Sequence, residues 1–166
     1  MKLENIVSAM KKPLELYKNN RYVNLNANVL AAAYPSIKVA SLASDSMSSQ
    51  GCTEGGIVCG AAIVDWLAYI PIHIGLHYLS KRHQFEDKKG NLDKKSFWKD
   101  VSRVYLTQLP SIALFYAMAG PLHYELMELG MKADNANMLS YWGTLIATRA
   151  LHTYNYYRTQ KSIKSI

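Results

Sequence analysis

His73 and His77 stand four residues apart, which puts two imidazoles on one face of a helix. Asp65 lies two turns earlier on nearly the same face, because eight residues turn a helix about 80° past two full turns. Such a face could offer donors to a metal ion, with His123 or His152 from another segment completing the set. It could also give a haem one axial ligand, His73, with His152 as the other. The count argues against a closed metal site, since one such pair supplies two ligands where a structural site takes four. His123 also belongs to a level roughly 20–25 Å from His77 at 1.5 Å per residue, so His152 is the one third donor near enough. The simpler use of Tyr69, His73, His77 and Tyr78 is hydrogen bonding to neighbouring helices, and no metal or cofactor is expected.

A second chemical candidate is the pair Asp65 and Arg149. Each sits deep inside a long stretch otherwise free of charge. A carboxylate and a guanidinium in such surroundings need each other, or water, and are expected to pair and line a polar path through the protein.

The elements that must hold these residues are written in the charge spacing. Among 166 residues with 31 Lys, Arg, Asp and Glu, only three charges fall within the windows 22–44, 55–80, 104–124 and 135–157, namely Lys38, Asp65 and Arg149. The windows run 23, 26, 21 and 23 residues. About 20 residues of helix cross a hydrocarbon layer of roughly 30 Å, whereas a helix facing water carries charge every turn or so. The first window is the least apolar, with Asn24, Asn26, Asn28, Pro35 and Lys38. Its alanines and serines suit close packing against neighbouring helices. Outside the windows Lys and Arg number five, none, eight, one and three in order along the chain. That alternation is what the positive-inside rule requires of four spans with both termini and the loop at 81–103 in the cytoplasm. The net charge of +7 is thus a topology signal. Nucleic acid is not an expected partner, because membrane-length segments divide the basic residues.

The reading is therefore an all-α protein, a four-transmembrane-helix bundle of two helical hairpins in the cell membrane. Residues 1–20 add an amphipathic cytoplasmic helix on the membrane surface, interrupted at Pro13. Trp98 with Phe97, and Trp142 with Tyr141, are expected as interfacial anchors. Cys52 and Cys59 are read as thiols, being too far apart along a helix to bridge. The halves share a plan of basic approach, span, short acidic turn and second span, which suggests a parallel duplication.

Four spans, cytoplasmic ends and a basic middle loop resemble the GtrA-like family of small four-helix membrane proteins, thought to flip polyprenyl-phosphate-linked sugars. Ser80-Lys81-Arg82-His83-Gln84-Phe85 is similar to the Asn-Arg-x-Trp-x-Phe signature that closes that family's second span, at the basic residue and the Phe. Asn155 and Arg158 match it in the fourth span, without the Trp or the closing Phe. The resemblance implies a transporter or flippase for a lipid-linked or other small polar substrate. On the residues alone, Asp65 and Arg149 would line the path while Lys81, Arg82 and Arg158 meet anionic headgroups. Membrane lipids and other copies of the chain are the expected partners. An accessory subunit of a larger respiratory or monooxygenase-type complex is the alternative, and a His-ligated metal or haem enzyme the third reading.

Overall fold

The computed structural model describes residues 21–86 and 90–163, so the expected helix over 1–20 lies outside the described residues. Four helices follow one another: α1 (Arg21–Ser49), α2 (Glu54–Phe85), α3 (Lys94–Glu128) and α4 (Ala133–Ile163). There is no strand among the described residues, and a single antiparallel bridge between Glu86 and Leu92 closes the middle loop. Of the four, α2 is long and apolar enough to cross a membrane by length and composition.

Local chemistry fixes the helix ends. The Thr53 hydroxyl accepts from the Gly56 N–H at 3.3 Å and starts α2. The Asp93 carboxylate accepts from the N–H groups of Lys95 and Ser96, at 3.1 Å each, and starts α3. Both hairpin turns use one device. Past α1, Gly51 N–H bonds Ser48 C=O and Cys52 N–H bonds Met47 C=O; past α3, Gly130 N–H bonds Met127 C=O and Met131 N–H bonds Leu126 C=O. These are Schellman closures, which need a residue at positive φ, and Gly51 (75°) and Gly130 (85°) provide it. Ser49, Gly51 and Glu54 have the same spacing as Glu128, Gly130 and Ala133, so the two hairpins turn alike.

Short turns make successive helices antiparallel, and the contacts run α1–α2, α2–α3, α3–α4 and α4–α1, a square four-helix bundle. The face of α1 formed by Asn28, Ala32, Ser36, Ala40 and Ser44 is buried, one residue per turn. Val29, Ala33 and Ile37 of α1 pack with Phe115 and Ala119 of α3 and Tyr141 and Leu145 of α4. Two smaller clusters cap the bundle: Ile57, Met127, Ala133 and Ala136 at the turn end, and Phe85, Phe97 and Val101 at the loop end.

Polarity is distributed inside out relative to a bundle in water. Leu42, Leu67, Leu106, Leu139 and Ile146 face outward, as does Trp66 at 50% exposure, while Asp65, Gln108, His123, Asn137 and Thr144 are buried. Within the charge-poor windows Lys38 is exposed, Asp65 buried and Arg149 half-buried. Two expected anchors differ. Phe97 is buried against Phe85 at 5.4 Å, and Tyr141 stands edge-on to Phe115, also at 5.4 Å, because both occupy inward positions of their helices. Their neighbours Trp98 and Trp142 are exposed and half-buried.

Two buried hydroxyls of α4 bond within their own helix. Ser140 donates to the Asn137 carbonyl and Thr148 to those of Thr144 and Leu145. Near the start of the helix, Ser41 of α1 donates to the Asp134 carbonyl at 3.1 Å.

Candidate functional site

Asp65 reaches the centre of the bundle because it shares a face of α2 with the buried Ala61, His73 and His77. It is 4% exposed. Its Oδ2 accepts from the Tyr116 hydroxyl of α3 at 2.8 Å, while Oδ1 has no hydrogen-bond partner. Arg149 of α4 lies across the same interior, with neither Nε nor Nη1 hydrogen-bonded. Both side chains line a cavity of about 50 Å³ together with Ser36, Tyr69, Tyr105 and Thr148. Asp65 and Arg149 are thus brought to one cavity, but no ion pair joins them among the described residues. Tyr116 supplies the bond that the sequence reading assigns to Arg149.

The histidines are used differently from one another. His73, 1% exposed, meets the Tyr105 hydroxyl at Nδ1 (3.2 Å) and stacks on Tyr69 at 5.2 Å between ring centres, with Nε2 unbonded. His77 Nε2 lies 2.9 Å from Asp100 Oδ2, and the Lys81 ammonium donates to that same oxygen at 3.0 Å. Burial tends to raise the Asp100 carboxyl, but the hydrogen bonds from Lys81 and His77 outweigh it and hold the group below its ordinary range. The Lys81 ammonium is thus engaged with Asp100, whereas Arg82 is exposed. His123, 0% exposed, stands edge-on to Tyr141 at 6.3 Å, with neither ring nitrogen hydrogen-bonded. No group of three His, Cys, Asp or Glu gathers closely enough for a metal among the described residues. The side chains of His152 and Arg158 lie outside the described residues. Cys52 and Cys59 are exposed thiols.

Sequence reasoning missed Asp100, Tyr105 and Tyr116. The signal for Asp100 is a buried stripe on α3, Phe97, Val101, Val104 and Gln108, which carries the helix well before the apolar window begins and turns position 100 towards α2. For Tyr105 and Tyr116 no pattern separates an inward hydroxyl from the other ten tyrosines of the chain.

Chemically, the cavity presents one carboxylate oxygen and two guanidinium nitrogens, Nε and Nη1, with no hydrogen bond, among several hydroxyls. Unpaired polar groups in a dry interior cost on the order of 1–3 kcal/mol each, more when charged, so the site is built to be satisfied by water or a polar solute. No family model, curated protein or solved structure matches the chain.

Proposed function

We propose that the chain is a four-span membrane protein, with its termini and the loop at 81–103 in the cytoplasm, that carries a small polar solute through the bundle. The observation that carries this reading is the inverted polarity: Asp65, Arg149 and the hydroxyls meet inside while leucines and tryptophans face out. A leucine-rich exterior is stable in lipid and prone to association in water. Lys38, the outward charge, sits on a side chain long enough to carry its ammonium towards the headgroups. The alternating Lys and Arg count supports the orientation.

The cavity of about 50 Å³ has room for roughly three to five waters at ~10–15 Å³ each, which favours a solute of a few atoms. A polyprenyl-phosphate sugar, the substrate that the GtrA-like resemblance implies, would need the helices to part. Purified chain in liposomes tests the proposal. Urea, glycerol and formate entry is followed by light scattering after osmotic shock. At least one solute should enter several-fold faster than into protein-free vesicles, and Arg149→Met should abolish the difference. Equal rates for all three would refute small-solute transport.

The accessory-subunit reading draws on an apolar groove of about 450 Å³ beside the middle loop, lined by Pro71, Ile74, Gly75, Tyr78, Leu92, Phe97 and Trp98. Such a groove suits a lipid tail or the side chains of a neighbouring subunit. Solute entry catalysed by the chain alone would exclude a purely accessory role.

A further inference from the structure

The interior polar groups form more than a pocket; they continue towards both ends of the bundle, to the half-buried Asp100 on one side and the buried His123 on the other. At the loop end Lys81 and His77 hold Asp100, with His77 2.9 Å from it. One turn inward the His73 ring lies 6.5 Å from that of His77 and bonds Tyr105 at 3.2 Å. Tyr69 stacks on His73 at 5.2 Å and opens onto the cavity that Asp65 and Arg149 share. Beyond Asp65, Tyr116 lies 6.4 Å from Tyr141, and Tyr141 lies 6.3 Å from His123. Asp100 and His123 are the two ends on α3. At 1.5 Å per residue they are about 35 Å apart along the axis, which matches a hydrocarbon layer of roughly 30 Å.

We propose that this seam, resting on the membrane-spanning reading above, is a proton path, with Asp65 as the carboxyl loaded and unloaded midway. Every station is a group that can take a proton at one atom and give one up at another, or a hydroxyl that can reorient between neighbours. The seam is also left incomplete by the protein. Asp65 Oδ1, His73 Nε2, Tyr141 Oη and both nitrogens of His123 are buried without a well-formed hydrogen bond, although Ser36, Asn137 and the Ala133 backbone stand near Asp65, Tyr141 and His123; these are the places where water can connect one station to the next. The groups that face Asp65 are few: Arg149 from α4, Tyr105 and Tyr116 from α3, Tyr69 from α2 and the uncharged Ser36 from α1.

In one passage the Asp65 carboxylate takes a proton from a cavity water supplied through His73, becoming a neutral acid beside Arg149. It then returns that proton to water on the Tyr141 side, where His123 accepts it at one ring nitrogen and releases another from the second. Charge balance holds at each step, and the passage leaves His123 as its other tautomer, which a flip of the ring resets.

The test uses purified full-length chain in liposomes with a trapped pH dye, a potassium gradient and valinomycin to drive proton entry. Flotation of the chain with the vesicles checks insertion, and failure to float would remove both readings. Wild type should acidify the lumen at least fivefold faster than protein-free vesicles. Asp65→Asn should bring the rate to the protein-free level, Asp65→Glu should restore a tenth or more of it, and His123→Gln should slow it. A wild-type rate equal to that of protein-free vesicles, or an Asp65→Asn rate equal to wild type, overturns the path. Solute entry in the same vesicles separates the two readings. Solute entry without proton flux removes the path and keeps the transport reading, whereas flux without solute entry does the reverse.

Discussion

Removing one charge from the cavity should cost more than removing both. In Asp65→Asn the Tyr116 hydroxyl, now 2.8 Å from a carboxylate oxygen, keeps an acceptor, but an amide oxygen in place of a charged one. Bonds to charged groups contribute about 1.5–3 kcal/mol and neutral ones about 0.5–1.5, so this change costs roughly 1–1.5 kcal/mol. The larger effect falls on Arg149, which has no hydrogen bond at Nε or Nη1 to compensate it. Asp65 and Arg149 line one cavity without an ion pair between them, so any mutual attraction acts across the cavity rather than through a contact. Losing that attraction brings the single-mutant cost to ~3–5 kcal/mol, the range found when one partner of a buried pair is removed. Asp65→Asn with Arg149→Gln leaves neither charge, and should recover most of that cost. Unfolding in mixed dodecylmaltoside–SDS micelles, followed by tryptophan fluorescence, measures the two single mutants and the double. Additive losses would refute the reasoning and leave Asp65 a neutral acid held by Tyr116 alone.

Because Lys81 and His77 hold the Asp100 carboxyl below its ordinary range, their contribution is present above the unfolded-state value, near ~4, and is lost as pH falls below it. An acid titration followed by the near-ultraviolet signal should show a transition below about pH 4 that Asp100→Asn abolishes. Gly60→Ala should be nearly neutral: the new methyl meets only the Met47 thioether, a flexible end that can move, while the helix gains about 0.5–1 kcal/mol. A melting temperature lower by more than ~4 °C would contradict this. His73→Gln combined with His77→Gln should insert and fold with unchanged metal content by elemental analysis. Stoichiometric metal in wild type that this variant loses would favour the enzyme reading. In a Cys52→Ser, Cys59→Ser background, an impermeant maleimide should label the exposed positions Ser48→Cys and Lys132→Cys from outside intact cells and leave Asn91→Cys untouched; labelling at 91 would end the topology.

Charge spacing made the four helices legible because a long uncharged run has few other uses. It marked the ends poorly where a helix continues as an amphipathic strip. Thus α3 starts at Lys94, ten residues before its apolar window, since Asp93 caps it and Phe97 and Val101 bury its inner stripe. The small residues of the first window announced the close face of α1. Asp65 and Arg149 were legible as deep charges, but their meeting at one cavity, rather than in a bond, depends on how α2 and α4 are rotated. Asp100 was hidden because a carboxylate between Lys99 and Arg103 reads as solvated. Tyr141 was misplaced because a tyrosine beside a tryptophan at a helix start fits an anchor as well as a core.

The hydroxyls of α4 that turn back on their own carbonyls have a mechanical consequence. Ser140 and Thr148 spend their hydrogen bonds inside the helix, while Ser41 grips the Asp134 carbonyl near its first residue. The helix is therefore pinned to α1 by a hydrogen bond close to one end and held farther along by side-chain packing, Tyr141 and Leu145 included. Arg149 lies fifteen residues from Asp134, about 22 Å along the axis. A tilt of about 5° at the pin carries the guanidinium about 2 Å, enough to widen or close the gap to Asp65 without breaking a bond that Ser140 or Thr148 makes.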